Sequence, residues 1–149
     1  MEVHGQIKIS SPKERIWGVI SDIENAANVF KDIKSIEILE KPKSEILGTK
    51  WKEVRVFVGK EATETMWICE VKEYKSFTSE AKNSGCLYHS TITLETQNDG
   101  VVVTKSFKST PLTLFAKMMT PVMYLMKGTL KKCLDRDLYD LKCYLEEKG

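Results

Sequence analysis

The feature that most constrains the fold is a series of short β-type segments, separated by turn signals and followed by one long helical segment. Gly59-Lys60, Asn83-Ser84-Gly85 and Asn98-Asp99-Gly100 each interrupt stretches with strand character. Such sequences are typical of tight turns between antiparallel strands. After residue 110 the apolar residues recur at steps of three and four instead of two. The pattern therefore predicts an antiparallel sheet followed by a helix that covers one of its faces.

The N-terminal part adds one strand and two short helices. Residues 3–10 alternate between apolar and polar, which indicates a half-buried strand. Ile16, Trp17 and Ile20 follow at helical spacing, and a second short helix is expected over residues 24–30. With six further strands, this order predicts an α+β fold with a curved antiparallel sheet of about seven strands. The 149 residues suit a single domain over residues 1–149.

The last helix is predicted to begin at Thr110-Pro111, where Thr can cap and Pro suits the first helical position. Its first half, TLFAKMMTPVMYLMKGTL, is apolar almost all round and holds four of the six Met residues. Pro121 removes one helical hydrogen bond, so a kink or restart is expected near Thr120. The second half is amphipathic through a series of leucines: Leu130, Leu134, Leu138, Leu141 and Leu145.

Composition argues against several classes of function. The net charge is +2 with no long basic run, so nucleic-acid binding is not expected. Residues 112–126 are shorter than the ~20 residues of a membrane span, so no stable membrane insertion is predicted. The N-terminus lacks the apolar region of a signal peptide, which favours the cytoplasm. No metal site or cofactor is expected, because the four Cys form no CxxC pair and His4 and His89 are far apart.

One strand carries the clearest polar candidates. Residues 51, 53, 55 and 57 share one face, and three valines at 54, 56 and 58 share the other. In one interpretation the valines are core and Glu53 with Arg55 is a solvated pair. In the other, Trp51 and Phe57 face inward and Glu53 with Arg55 meets the polar end of a ligand. The guanidinium of Arg55 suits a carboxylate or carbonyl because its planar fork matches paired oxygens.

These elements and residues resemble the START-like helix-grip superfamily, and in particular its polyketide cyclase/dehydrase and lipid-transfer branch, often labelled SRPBCC. The resemblance spans essentially the whole chain. It begins at ISSPKERIWGVISDIENAANVF, continues through GTKWKEVRVFVGKEATETMWICEVKEY and ends at DLYDLKCYLEE. The matching positions are Pro12, Glu14, Ile16, Trp17, Asp22, Glu24, Asn25, Phe30, Gly48, Trp51, Glu53, Arg55, Gly59, Glu61, Glu70 and Tyr74.

The resemblance implies a sheet that grips the C-terminal helix around an apolar cavity. It favours the interpretation in which Trp51 faces inward, and it makes the Met-rich helix an adaptable wall, since Met repacks readily around varied ligands. The alternative is that these Met residues simply fill core. The resulting ligand-binding prediction comprises Trp51, Glu53, Arg55, Trp67, Tyr88, Phe107, Met119, Met123 and Met126.

Three functions remain open on this basis. The first is binding or transport of a small hydrophobic molecule such as a lipid, isoprenoid or polyketide. The second is a cyclase or dehydratase in the same cavity, for which no catalytic residue is assigned because the sequence holds no recognisable catalytic motif. The third is a protein-interaction module with a small cavity filled by its own side chains. No particular protein partner is indicated.

Overall fold

A seven-stranded antiparallel sheet followed by a helical C-terminal segment makes up the molecule. The computed structural model describes residues 1–147. The strands are β1 (Glu2–Ile9), β2 (Ile33–Glu40), β3 (Lys50–Phe57), β4 (Lys60–Lys72), β5 (Ser76–Asn83), β6 (Cys86–Gln97) and β7 (Gly100–Pro111). The helices are α1 (Lys13–Ile20), α2 (Ala26–Val29), α3 (Leu114–Met118), α4 (Thr120–Leu125) and α5 (Lys127–Glu147). The predicted α+β fold, with two short helices after the first strand, is confirmed.

The sheet order is β1-β7-β6-β5-β4-β3-β2, so consecutive strands from β2 to β7 are neighbours and β1 pairs with the last one. All the pairings are antiparallel. The predicted turns fall between strands, and Gly59 and Gly85 have positive φ values of 74° and 76°. Glycine adopts this conformation without the steric cost that other residues incur.

Helix α5 covers the β1 side of the sheet through the predicted leucine stripe. Leu138, Leu141 and Leu145 are almost completely buried, and they join a core that includes Ile9 and Val103. The close approach depends on Gly5 in β1, because a Cβ there would lie 2.5 Å from Oδ1 of Asp135. A side chain at position 5 would therefore push the helix or the Asp135 side chain away.

The helical segment begins later than predicted. Thr110 and Pro111 are the last residues of β7, where they pair with Leu87 and Cys86. The 12-residue β6 is matched along its whole length by β7, which places these two residues in the ladder. Thr113 is the actual cap, and its Oγ1 accepts a hydrogen bond of 3.1 Å from the backbone N–H of Ala116. Pro at the end of a strand costs little because its missing donor is not needed there.

The break predicted near Thr120 is confirmed, and a second break follows it. Met119 separates α3 from α4, with Pro121 in the first turn of α4, and Met126 separates α4 from α5. Gly128, in the first turn of α5, makes no close approach to another element, because a Cβ there would meet nothing within 4 Å. The long helix of the sequence prediction is therefore two short helices and one long one.

Candidate functional site

A cavity of about 520 Å³ lies between the concave face of the sheet and the helices α4 and α5. Its volume falls in the range of small-molecule sites, ~300–1,000 Å³. The walls are mostly apolar and aromatic. They include Ile20, Phe30, Trp51, Phe57, Met66, Phe77, Ala81, Tyr88, Ile92, Phe107, Met123, Met126, Leu130 and Leu134, and the polar lining residues include Glu53, Arg55, Glu64, Lys105 and Asp137.

Seven of the nine residues predicted to bind a ligand line this cavity: Trp51, Glu53, Arg55, Tyr88, Phe107, Met123 and Met126. The sequence left open which face of β3 points inward. In the structure, the face that carries Trp51, Glu53, Arg55 and Phe57 lines the cavity. Val58 at the end of the opposite face is largely exposed. Of the two interpretations of this strand, the cavity lining therefore supports the one in which Trp51 and Phe57 face inward.

Trp67 does not line the cavity. Its neighbours Met66 and Ile68 face the concave side, and Trp67 faces the convex side opposite Glu80. A β-bulge explains the error, since the register shifts between Ile68 and Glu70 and Val71 returns to the core. The prediction assumed strict alternation from Trp67 to Val71, and a bulge inserts one extra residue into that count.

Met119 is also absent from the cavity wall. It lies at the break between α3 and α4, and its side chain is partly exposed. The prediction expected a break near Thr120 but still placed residues 119, 123 and 126 together on one wall of the cavity. Met119 lies outside both helices at the end of α3, and only Met123 and Met126 of this set face the cavity.

Two polar residues of the cavity were missed, although the sequence carried a signal for each. Asp137 lies on the leucine stripe of α5, between Leu134 and Leu141, and is 1% exposed. Lys105 alternates with Val103 and Phe107 along β7 and so has the same inward parity. A charged residue at an apolar position of a periodic pattern is rarely buried without a partner. That rule would have identified both residues.

The polar end of the cavity is a cluster of two cationic and two anionic side chains. Arg55 Nε donates to Glu53 Oε2 at 3.2 Å, and its Nη1 donates to Asp137 Oδ1 at 3.1 Å. Lys105 Nζ donates to Asp137 Oδ2 at 2.7 Å and lies 5.4 Å from the centre of the Phe30 ring. The indole Nε1 of Trp51 donates to Glu53 Oε1 at 3.4 Å. Formal charges in this cluster therefore cancel.

Burial and charge act in opposite directions on this cluster. Burial by itself would raise the pKa of Asp137, but Lys105 and Arg55 lower that pKa below its ordinary value. Burial would likewise lower the pKa of Arg55, but Asp137 and Glu53 raise it above its ordinary value. Both groups therefore remain charged at neutral pH. A buried ion pair of this kind is costly to desolvate, and removing one partner leaves the other uncompensated.

Arg55 keeps hydrogen-bonding capacity for a ligand. Its bonds to Glu53 and Asp137 use Nε and Nη1, and within residues 1–147 no bond from Nη2 is found. The side chain is 22% exposed, against 2% for Asp137. The guanidinium therefore presents part of its fork to the cavity while the carboxylates hold it in place.

Tyr88 and Phe107 form an aromatic wall on β6 and β7. Their rings stack with centroids 5.5 Å apart and planes inclined by 24°. Burial raises the pKa of the Tyr88 hydroxyl to about 12, with the nearby Cys86 contributing as well. The hydroxyl is therefore protonated at neutral pH and can donate to a ligand oxygen.

An empty cavity of this size would be unfavourable. Void volume costs ~24 cal/mol per Å³ in core truncations, which gives about 12 kcal/mol for the whole space. That is comparable with the total stability of a small domain, ~5–15 kcal/mol. Water at the polar end, a ligand, or both would remove this cost.

The outer side of the helical segment carries an apolar-basic surface, which we define as Leu114, Phe115, Met118, Val122, Leu125, Lys117, Lys127 and Lys132. The apolar members are strongly exposed, up to 77% for Leu114 and 85% for Leu125. From residue 101 to residue 134 the chain holds six Lys and no Asp or Glu. Large exposed apolar residues are a general feature of interaction sites. Within residues 1–147 no helix is long and apolar enough to cross a membrane.

Comparison with known proteins identifies the fold. No protein-family model matches the chain, and no curated protein matches it in sequence. Solved structures do match. A START superfamily protein from Mycobacterium smegmatis superposes with a TM-score of 0.79 at 11% identity, covering 99% of each chain.

Two further solved structures match the chain, and their names describe two different kinds of protein. The Zhui aromatase/cyclase from a Streptomyces species gives a TM-score of 0.77 at 15% identity, covering 99% of this chain and 94% of its own. A major latex-like protein from Panax ginseng gives 0.75 at 15% identity, covering 97% of each chain. The chain therefore has the START-like helix-grip fold, as the sequence resemblance implied. Identities this low establish the fold alone, since one fold hosts many functions.

Proposed function

We propose that the protein binds and carries a small, mostly apolar molecule with one polar end in the cavity between the sheet and the helices α4 and α5. The observation that supports this most directly is the combination of about 520 Å³ of mostly apolar space with one polar cluster at Arg55. A ligand of lipid, isoprenoid or polyketide character would place its chain against the aromatic and Met wall. Its oxygen would meet Arg55 Nη2 or the Tyr88 hydroxyl.

The apolar-basic surface supports a route for that ligand. Its lysines complement an anionic lipid headgroup layer, and its exposed leucines and Phe115 suit the boundary between headgroups and acyl chains. Met123 lies in α4 and Met126 at the break between α4 and α5, and both face the cavity. The surface and the cavity wall therefore share these elements. We therefore propose that this surface docks reversibly on an anionic membrane, where a hydrophobic ligand is exchanged. A cytoplasmic location stays a prediction.

Catalysis is the second candidate, because Glu53, Asp137, Lys105 and Tyr88 face one space. An efficient general acid or base has a pKa near the working pH. The resolved pKa shifts in the cavity go the other way, up for Tyr88 and down for Asp137. This favours binding over proton transfer. The interaction-module hypothesis expected a small cavity filled by its own side chains, and the cavity volume argues against it.

Native mass spectrometry of freshly purified protein tests the proposal, repeated after denaturation and organic extraction. We expect a bound small molecule that denaturation releases, or, if the cavity was emptied during purification, a mass shift when decanoate is added. A cyclase would instead convert a polyketide substrate at a rate that falls with Tyr88→Phe. An unliganded mass with no melting-temperature shift across lipids and polyketides would overturn the carrier function.

A further inference from the structure

Three metal-ligand side chains meet on the convex face of the sheet, away from the cavity. Cys69 lies in β4, Glu80 in β5 and His89 in β6, which are three adjacent strands. The Cys69 sulfur, a Glu80 carboxylate oxygen and a His89 ring nitrogen all lie within 4.8 Å of one another. His89 Nε2 and Glu80 Oε1 are 2.9 Å apart. The sequence analysis expected no metal site, because it considered the four Cys and the two His as separate sets, and His4 has no part in this group.

The backbone places Cys69 beside the other two. Glu80 and His89 are direct partners in the β5–β6 ladder, so their side chains are neighbours on one face. Cys69 is the extra residue at the β4 bulge, between the pairs Ile68–Ser79 and Glu70–Thr78. A bulge changes the direction of a side chain and is frequent next to functional sites. In the described part of the chain, the only hydrogen bond of the Cys69 sulfur is a weak one to the Thr78 carbonyl oxygen at 3.5 Å.

The spacing of the donor atoms is close to what a tetrahedral ion needs. Zinc binds Cys sulfur at about 2.3 Å and His nitrogen or carboxylate oxygen at about 2.0–2.2 Å, which holds donor atoms about 3.3–3.8 Å apart. The proposed site requires the exposed Cys69 side chain to rotate toward the other two donors and the 2.9 Å contact between His89 and Glu80 to widen. The ion would take the place of the hydrogen bond between His89 and Glu80.

We propose that Cys69, Glu80 and His89 bind a divalent zinc ion on the convex face of the sheet. One thiolate, one imidazole and one carboxylate suit zinc, since soft and borderline donors select it over magnesium or calcium. Three protein ligands leave a fourth position for water or another molecule. The alternative is a plain cross-strand contact between Glu80 and His89, with Cys69 nearby and no affinity for metal.

Cobalt(II) titration of the untagged, chelator-treated and reduced protein separates these alternatives. We expect one equivalent of Co²⁺ to give visible bands of a tetrahedral ion and a near-ultraviolet sulfur-to-cobalt charge-transfer band, both lost when Zn²⁺ is added. Cys69→Ser should remove the charge-transfer band, and His89→Gln should weaken binding about tenfold or more. Cys143→Ser, a control on α5 that also removes one thiol, should leave the spectrum unchanged.

Two results would overturn the inference. One is the absence of a charge-transfer band at one equivalent of Co²⁺, and the other is a band that persists in Cys69→Ser. Circular dichroism of each variant establishes that it is folded. The inference does not rest on the proposed function, because the three ligands and the cavity lie on opposite faces of the sheet. A Met123→Trp variant should therefore lose cavity binding and keep the cobalt spectrum.

Discussion

Arg55 on β3 and Asp137 on α5 form an ion pair, with Nη1 and Oδ2 3.0 Å apart, that joins the concave face of the sheet to the helix that covers it. Lys105 on β7 reaches the same carboxylate from another strand. Asp137 therefore connects three elements at the polar end of the cavity. This geometry makes it the residue on which both the stability and the binding properties of the site depend.

Replacing Asp137 by Ala should lower the free energy of unfolding by about 3–5 kcal/mol, because Arg55 and Lys105 would be left without a buried counter-charge. Urea denaturation of wild type and variant measures the loss. The matched control is Asp135→Ala, two residues away on the same helix. Within residues 1–147 the only ion pair of Asp135 is with the exposed Lys131, so its loss should be below about 1 kcal/mol. Equal losses in the two variants would contradict this assignment.

The stability of the fold should fall in acid through Asp137. The folded protein holds the pKa of this carboxyl below its ordinary value of 3.8. A depressed pKa contributes stability that is complete above the unfolded value and is lost as pH falls through the folded value. The difference in unfolding free energy between wild type and Asp137→Asn should therefore shrink below about pH 4. A difference that stays constant down to about pH 2 would show that Asp137 does not titrate in this way.

Filling the cavity should abolish ligand binding without unfolding the protein. Met123→Trp places a larger side chain on the cavity wall, whereas Met119→Trp lies outside it and serves as the control. We expect the fluorescence of anilinonaphthalene sulfonate, an apolar anion, to rise with wild type and Met119→Trp and to stay low with Met123→Trp. Overpacking costs about 1–3 kcal/mol, so melting curves of both variants are needed. Binding that survives in Met123→Trp would place the ligand elsewhere.

Arg55 should discriminate between anionic and neutral ligand ends. In Arg55→Gln, affinity for decanoate should fall about tenfold, the loss of a charge-assisted hydrogen bond of ~1.5 kcal/mol. Affinity for decanol, which has the same chain length, should change much less. Calorimetric titration of both ligands gives the ratio. A parallel loss for acid and alcohol would mean that Arg55 acts only by supporting the fold.

The apolar-basic surface should bring the protein to anionic membranes. Vesicles of phosphatidylglycerol should sediment the protein, and phosphatidylcholine vesicles should do so weakly. Lys127→Glu with Lys132→Glu should weaken binding by about 2 kcal/mol, or roughly thirtyfold, at low salt. The control is Lys43→Glu with Lys60→Glu, which has the same net charge but alters lysines outside this surface. If both pairs bind alike, only net charge matters and no docking surface exists.

The fold was predictable because its signals are local. Turn residues, two-residue alternation and the leucine stripe of α5 each report on a few neighbouring positions. The errors arose where the structure of one element depends on a neighbouring element. Thr110 and Pro111 carry a helix-start signal, yet β6 is long enough to hold them in the sheet. The prediction for Trp67 failed because a single bulged residue changes the alternation of side chains, so residues before and after it no longer share the face that strict counting gives.

Single residues of the cavity wall could be predicted, but the contacts between its charged residues could not. Glu53 and Arg55 were identified from one strand, but their partners Asp137 and Lys105 lie on elements distant in sequence. Each stood out as a charge at an apolar position, and no local rule pairs two such positions. The group of Cys69, Glu80 and His89 was invisible for the same reason, since it depends on the register of three strands.

The neutral charge balance of the cavity has a further consequence. A carboxylate ligand that approaches Arg55 meets a guanidinium already bound to Glu53 and Asp137. Glu53 and Asp137 use Nε and Nη1 of Arg55, so a ligand carboxylate would share the guanidinium with them and reach it through Nη2. Under the proposed function, an acidic ligand would therefore bind with limited affinity and would leave no unpaired charge behind when it departs. Release of the ligand would then be as easy as its uptake, which is what distinguishes a carrier from a storage protein.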